Sequence, residues 1–277
     1  MSFAIRNYRG WLIPAALFIA FTAGCAGHRP PPPNDEALFM DWARTAYKER
    51  DYNDLVLSLK EYLPRHAGSR YTEEATLLLG KALYEQDLYV EAEEQFKNLL
   101  HDFPGGEYAP EATYHLGLAY LAQSRPPQLD QRETIDALVQ FQSFVNRYPD
   151  HSLVESAKKH ILDIRNKLAT KYYLAGKLYA KRGGNWHRAA RFYFKDKVLG
   201  EYGDTKVASL AALGLAESYN TTHEWQKLAD TCKLLLDRYP HSNEAYRAKD
   251  LLKKAQKNGA TLSLVGTPAP ADTTGPH

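Results

Sequence analysis

A helix-pair unit in residues 80–104 constrains the fold more than any other stretch of this chain. Its second half carries the apolar face of one helix, with residues spaced three and four apart: Tyr89, Ala92, Phe96 and Leu99. Pro104 ends that helix, because proline lacks the N–H donor that a helix needs. Gly80, on the preceding helix, leaves room for a large neighbour. The unit therefore predicts two short helices packed back to back.

The same spacing recurs along the chain. One unit carries Ala112, Gly117, Ala137, Phe141, Phe144 and Pro149, with Thr134 in place of the first aromatic residue. Its halves are separated by extra residues within 124–133, whose prolines and charges predict an exposed loop. A later unit matches the template at every position: Ala211, Ala216, Trp225, Leu228, Cys232, Leu235 and Pro240. Cys232 stands where Phe96 stands in the template, which predicts a core cysteine.

Two units deviate from the template. The first is weak and carries Ala43, Tyr52, Leu55, Leu59 and Tyr62. The fourth has a long first helix, from Ala157 to about Tyr179, before the pattern restarts at Trp186, Ala189 and Tyr193. An alanine follows each stop by eight residues, at Ala112, Ala157, Ala211 and Ala248.

A last helix over residues 243–257 has no second helix after it. We therefore expect an all-α fold, a tetratricopeptide-like right-handed superhelix of five helix pairs plus a C-terminal capping helix. It would cover residues 35–258, and residues 259–277 would form a disordered tail. The alternative is an ordinary helical bundle with coincidental spacing.

The N-terminus has the features of a targeting segment. Arg6 and Arg9 precede an apolar run at residues 11–21, which is shorter than the roughly 20 residues that span a membrane. The following residues, TAGC at 22–25, resemble a bacterial lipobox, which implies a signal peptide over 1–24 and lipid on Cys25. The alternative is an ordinary secretory signal that ends near a cysteine. Residues 25–34 would be a lipidated, proline-rich spacer. Ala26, rather than Asp, implies an outer-membrane anchor that faces the periplasm.

The chain shows no constellation for catalysis or cofactor binding. Its ten histidines lack metal-ligand spacing, and it has neither a paired Cys-x-x-Cys nor a Gly-x-Ser-x-Gly motif. The net charge of +2 argues against nucleic acid as the main partner. We therefore expect no enzyme activity, no cofactor and no metal.

A repeat superhelix offers a concave groove instead. By resemblance to tetratricopeptide geometry, the groove takes positions six and three before the small residue of each first helix, and one and four after it. These positions hold Met40, Arg44, Tyr47, Glu74, Leu77, Lys81, Tyr84, Glu111, Tyr114, Leu118 and Leu121. Such a mixture of side chains suits an extended peptide. The alternative is that some of them pack neighbouring helices.

The lipobox, the proline spacer and the five units together resemble the BamD (ComL-type) lipoproteins of the outer-membrane β-barrel assembly machine. The most specific stretch is residues 130–205, which includes DQRETIDALVQFQSFVNRYPDHS, IRNKLATKYYLAGKLYAKRG and VLGEYGDT. The loop of the third unit and the long helix of the fourth look like that family's departures from plain repeats.

This resemblance implies partners. The N-terminal repeats would receive unfolded outer-membrane proteins, and the C-terminal repeats would hold the POTRA domain of the barrel-forming subunit, with other assembly lipoproteins nearby. The family often carries an arginine in the second helix of repeat four, where Phe194 stands here. The candidate partner contacts are therefore Arg125, Asp130, Arg132, Arg188, Arg191 and Phe194. The alternatives are a pilus pilotin, a Tol or cell-division coordinator, or a peptidoglycan-related enzyme.

Overall fold

The computed structural model describes residues 35–261, and every regular element within that range is a helix. The α-helices are α1 Glu36–Glu49, α2 Tyr52–Arg65, α3 Thr72–Glu85, α4 Tyr89–Asp102, α5 Ala109–Ala122, α6 Arg132–Arg147, α7 Val154–Arg182, α8 His187–Arg191, α9 Ala208–Thr221, α10 Trp225–Arg238 and α11 Asn243–Lys257. A 3₁₀ turn, Gly184–Trp186, precedes α8, and a π-helix, Phe192–Glu201, continues it.

These helices form five antiparallel pairs and a final unpaired helix, α11, which packs on α9 and α10. The predicted tetratricopeptide-like architecture is confirmed, including the capping helix. The predicted signal peptide, Cys25 and the proline spacer lie outside the described residues, as does residue 262 onward. None of the helices in the described range combines the length and the apolar character needed to cross a bilayer.

The second and third pairs close on a small residue that faces a large one. A Cβ atom on Gly80 would lie 2.6 Å from the Phe96 ring, and one on Gly117 would lie 2.9 Å from the Phe141 ring. Both phenylalanines are fully buried. The glycines therefore allow the two helices of a pair to approach closely. The predicted core position of Cys232 is also confirmed, and its burial raises the pKa of the thiol to about 12.

The inserted loop of the third pair is held by one buried glutamine. The Nε2 of Gln131 donates to the backbone oxygens of Pro126 at 2.8 Å and Asp130 at 3.0 Å. Thr134 donates to the Gln131 Oε1 at 2.9 Å. Thr134 thus replaces the template aromatic residue because this position must bind the loop rather than fill a gap.

The long helix α7 contributes residues to two buried hydrophobic clusters. Ala157 and Leu168 belong to the buried cluster of α1–α6, and the next residue, Ala169, belongs to the cluster formed with α8–α11. Near its end, Gly176 meets Phe194, where an added Cβ would lie 2.5 Å from the ring. The extra turns of α7 therefore join the two halves of the superhelix.

The predicted register of the fourth pair was wrong by one residue. Ala189 and Tyr193 were expected in the core, but Ala190 and Phe194 are the buried residues. Gly176 explains this register, because it is the small residue that faces Phe194.

The π-helix absorbs one inserted residue. The two buried residues in the second half of a regular pair are three apart: Phe96 and Leu99, Phe141 and Phe144, Cys232 and Leu235. In the fourth pair they are Phe194 and Val198, four apart. A wider helical turn keeps both side chains on the buried face despite the extra residue.

Candidate functional site

Three of the eleven candidate groove residues belong to the core. Met40, Leu77 and Tyr114 are at most 8% exposed, so the expectation that they line an open groove is corrected. Each stands three residues before the small residue of its helix and therefore shares the face that packs inward. Tyr114 shows the result, since its ring packs edge-on against Phe141 at 5.5 Å.

The other eight candidates keep part of their surface exposed; besides Glu74 and Glu111 they are Arg44, Tyr47, Lys81, Tyr84, Leu118 and Leu121. We call these six residues the inner groove surface. The Lys81 Nζ lies 5.0 Å from the centre of the Tyr47 ring, which joins α1 to α3. Burial raises the pKa of Tyr47 to about 12 and also raises that of Tyr84. Both hydroxyls therefore stay protonated and can donate hydrogen bonds.

The charges of this surface are paired between neighbouring repeats. Arg44 binds both carboxylate oxygens of Glu74, each at 2.6 Å, and this raises the pKa of Arg44. The Lys81 Nζ lies 2.7 Å from Glu111. His115, at 3.6 Å, and Lys81 together hold the pKa of Glu111 at about 2. The groove therefore presents tyrosine rings and aliphatic side chains, while its charges hold successive first helices together.

The sequence contained a sign of this pairing. Each ion pair joins two fixed positions of neighbouring repeats. The first residue directly follows the small residue of one repeat. The second lies six residues before the small residue of the next repeat. Arg44 and Glu74, and then Lys81 and Glu111, carry opposite charges at these positions. In the third repeat the first of these positions holds the uncharged Leu118, so the pairing links only the first three repeats.

Some of the candidate partner contacts are exposed, and others are buried or bound within the chain. Arg125, Asp130 and Arg132 lie exposed on the inserted loop and the start of α6, and Arg188 lies exposed on α8. Phe194 is 1% exposed and is corrected from a surface contact to a core residue.

Arg191 is half-buried and occupied within the chain. Its guanidinium lies 2.5 Å from Glu224, donates to the Ser218 Oγ at 3.1 Å, and stacks 4.3 Å from the Tyr219 ring. It thereby ties α8 to α9 and to the start of α10.

A pocket of about 460 Å³ lies between α7 and α9 and was not expected from the sequence. Tyr173, Phe194 and Leu213 supply apolar walls, with Lys177 and Glu217 among the charged lining residues. The Nδ1 of His187 lies 3.3 Å from the Ser218 Oγ in the same pocket. The part of the chain seen in the structure holds no group of three or more His, Cys, Asp or Glu side chains arranged to bind a metal.

Paired antiparallel helices in five successive units define a tetratricopeptide-like repeat protein. Similar solved structures include the TPR2AB domain of yeast Sti1, with 14% identity, a TM-score of 0.39, and coverage of 78% of this chain and 82% of that one. A thermophilic TPR protein from Thermus thermophilus has 18% identity, a TM-score of 0.34, and coverage of 77% and 96%. Both scores are low, and the class rests on this chain's own helices.

Residues 33–235 match the family model YfiO, which is described as an outer membrane lipoprotein. The chain belongs to this family. Among its relatives, an outer membrane protein assembly factor BamD from Caulobacter vibrioides is 27% identical over 214 residues, which cover 76% of this chain and 69% of the relative. The factor of the same name from Haemophilus influenzae is 27% identical over 204 residues, which cover 69% and 76%.

Proposed function

We propose that this chain is a lipid-anchored periplasmic scaffold of outer-membrane β-barrel protein assembly. In this role it binds unfolded outer-membrane proteins in the inner groove surface. Its C-terminal repeats hold the POTRA domain of the barrel-forming subunit, alongside other assembly lipoproteins. Family membership and the names of its relatives, outer membrane protein assembly factors, support this role.

The inner groove surface carries the proposal for client binding. Its charged side chains are neutralised within the chain, so charge is not its main means of recognition. Tyr47 and Tyr84 offer partly exposed rings together with protonated hydroxyls. An unfolded β-strand exposes aromatic side chains and unpaired backbone groups, which such rings and hydroxyls can contact. Weak, reversible contact of this kind delays pairing between exposed strand edges.

The lipid anchor would confine this groove to the membrane surface. Lipid on Cys25 places the scaffold and its partners in one plane, and a second weak contact then gains effective concentration. The anchor makes a direct prediction, since Cys25→Ala would move the chain from the membrane fraction to the soluble fraction. Unchanged sedimentation of the variant with membranes would refute the anchor.

The exposed loop residues and Arg188 remain the candidates for the POTRA contact. Arg125, Asp130 and Arg132 have free access to solvent because Gln131 holds the loop by its backbone. Arg188 keeps its guanidinium exposed, whereas Arg191 is bound to Glu224.

A binding titration tests the client groove. The probe is a labelled peptide that alternates aromatic and polar residues, as a membrane β-strand does. The variant Tyr47→Ala/Tyr84→Ala removes two rings, each worth about 1 kcal/mol, so we expect Kd to rise at least about tenfold. The control Tyr246→Ala removes a tyrosine that is 73% exposed on α11, outside the groove, and should leave Kd unchanged. Equal affinity of the groove variant and the control would contradict the proposal.

A further inference from the structure

The positive charge of this chain is concentrated in one stretch. Residues 165–197 contain ten Lys and Arg against a single Asp, a net charge of +9, whereas the whole chain carries +2. This stretch forms the second half of α7, the 3₁₀ turn, α8 and the first part of the π-helix. The remaining residues are therefore acidic on balance, and the chain is strongly asymmetric in charge.

Several of these cations have no carboxylate within ion-pair distance among residues 35–261. Arg165, Arg191 and Lys197 are paired, with Asp204, Glu224 and Glu201 respectively. Five exposed cations lack such a pair, and four of them lie around the turn from α7 into α8 and the π-helix: Lys181, Arg182, Arg188 and Lys195.

Three exposed apolar side chains lie among these cations. Leu178 is 55% exposed, and Trp186 and Phe192 are each 47% exposed. Leu178 and Arg182 are four residues apart on α7 and so share a face. Phe192 and Lys195 lie on the π-helix that follows α8. The basic aromatic corner, as we name it, comprises Leu178, Lys181, Arg182, Trp186, Phe192 and Lys195.

Ring contacts make this corner one continuous surface. The Arg182 guanidinium lies 5.1 Å from the centre of the Trp186 ring, and Trp186 stacks on Tyr179 at 5.4 Å. Tyr179 stacks in turn on Tyr193 at 5.5 Å, and Phe192 meets Tyr193 edge-on at 5.5 Å. The corner is therefore a continuous packed surface that exposes both apolar side chains and cationic groups.

We propose that the basic aromatic corner binds the anionic headgroup surface of a phospholipid bilayer. Trp and Phe side chains favour the boundary between headgroups and acyl chains. Lys and Arg beside them attract anionic lipids, at about 1 kcal/mol for each charge. The corner would thus give the chain a membrane contact separate from Cys25, which would set how the superhelix is oriented on the bilayer.

The ring geometry favours lipid over nucleic acid. Binding to single-stranded nucleic acid relies on open aromatic faces on which bases stack. Tyr179 lies between Trp186 and Tyr193, and Arg182 lies over the Trp186 ring, so these faces are covered. Exposed edges and long cationic side chains remain, which suit headgroup phosphates.

Vesicle partitioning tests the electrostatic part of this proposal. The protein is the chain from residue 26 onward, which lacks Cys25 and keeps every helix that the structure describes and both buried clusters. We expect it to sediment with vesicles of phosphatidylcholine and phosphatidylglycerol at low salt, and not with phosphatidylcholine alone. Lys181→Gln/Arg182→Gln should lower the partition coefficient about thirtyfold, from about 1 kcal/mol for each lost charge.

The matched control is Lys254→Gln/Lys257→Gln, which removes the same charge from the last turn of α11. It should leave at least most of the partitioning in place. Failure to bind the anionic vesicles, or an equal loss in both variants, would overturn the proposal.

Fluorescence quenching tests the apolar part. Vesicles that carry a nitroxide on the lipid acyl chain should quench the emission of Trp186, and Trp186→Phe should remove the quenched component. Trp42 is buried and Trp225 lies on α10, so they supply the unquenched background. The same fractional quenching in Trp186→Phe would show that the corner does not enter the interface.

Discussion

Phe194→Ala should destabilise the C-terminal half of the superhelix severely. Phe194 is 1% exposed and lies between two glycines, where a Cβ on Gly176 or Gly214 would come within 2.5 or 2.8 Å of its ring. Because the glycines on two sides of the ring carry no side chain, they cannot move to fill the cavity that alanine would leave. We therefore expect a loss of about 3–5 kcal/mol, the range for Phe→Ala in a packed core.

The loss should be local as well as large. In a repeat protein, stability is approximately a sum of neighbouring interfaces, and Phe194 belongs to the buried cluster of α8–α11. Thermal unfolding followed by circular dichroism should shift by about 6–20 °C, at roughly 2–4 °C per kcal/mol for a domain of this size. Hydrogen exchange should show the lost protection in α8–α11, with α1–α6 nearly unchanged.

The control is another phenylalanine only two residues away. Phe192 is 47% exposed, so Phe192→Ala should cost less than about 1 kcal/mol. Similar stability losses in the two variants would refute the argument that Phe194 is a core residue rather than a surface contact.

Three further predictions concern packing, charge and the thiol. Gly80→Ala should lower the free energy of unfolding by about 1–3 kcal/mol, because its Cβ would meet Phe96 at 2.6 Å. The control Gly105→Ala places its Cβ in open space and should cost little. Urea titrations measure both values. The pKa of Glu111 is about 2, against 4.5 unperturbed, so the stabilisation from its ion pair is complete above pH 4.5 and is lost as the pH falls towards 2. Glu111→Gln should therefore flatten the curve of stability against pH in that window. An unchanged curve would contradict the pairing. Cys232, with a thiol pKa of about 12, should react with a thiol reagent at pH 8 only after unfolding in the chain from residue 26 onward, and rapid reaction of the native chain would count against its burial.

The regular repeats could be predicted from spacing because each buried position has a fixed partner. Residues 243–257 were expected as the last helix, and α11 spans Asn243–Lys257. Cys232 was expected in the core because it stands at the Phe96 position, and it is fully buried. In both cases, the three-and-four spacing of apolar residues directly reflects which face of a helix packs.

The fourth repeat could not be predicted in the same way. One inserted residue moves the buried positions of the second helix by one relative to the template. The π-helix accommodates this residue, so that Phe194 and Val198 are both buried. The facing small residue, Gly176, lies nineteen residues after Ala157 and looks like an ordinary helix position. A template taken from regular α-helical repeats therefore places the wrong residues inward.

The candidate groove was predicted only in part, for a geometric reason. Sequence spacing identifies the helix face but not the depth at which the next repeat covers it. The residues three before each small residue are covered, as Met40 and Leu77 show, while Tyr47 and Tyr84, four residues after it, keep partial exposure. The pairing of Arg44 with Glu74 was readable from the opposite charges at equivalent positions.

The role in barrel assembly is tested best by purifying the chain, expressed from residue 1, out of detergent-solubilised envelopes. We expect mass spectrometry to identify a barrel-forming outer-membrane subunit with POTRA domains among the co-purified proteins, together with unfolded outer-membrane proteins. The Tyr47→Ala/Tyr84→Ala variant should retain the subunit and lose the clients. Recovery of a pilus secretin or of Tol components, without the barrel-forming subunit, would refute a role of this chain in barrel assembly.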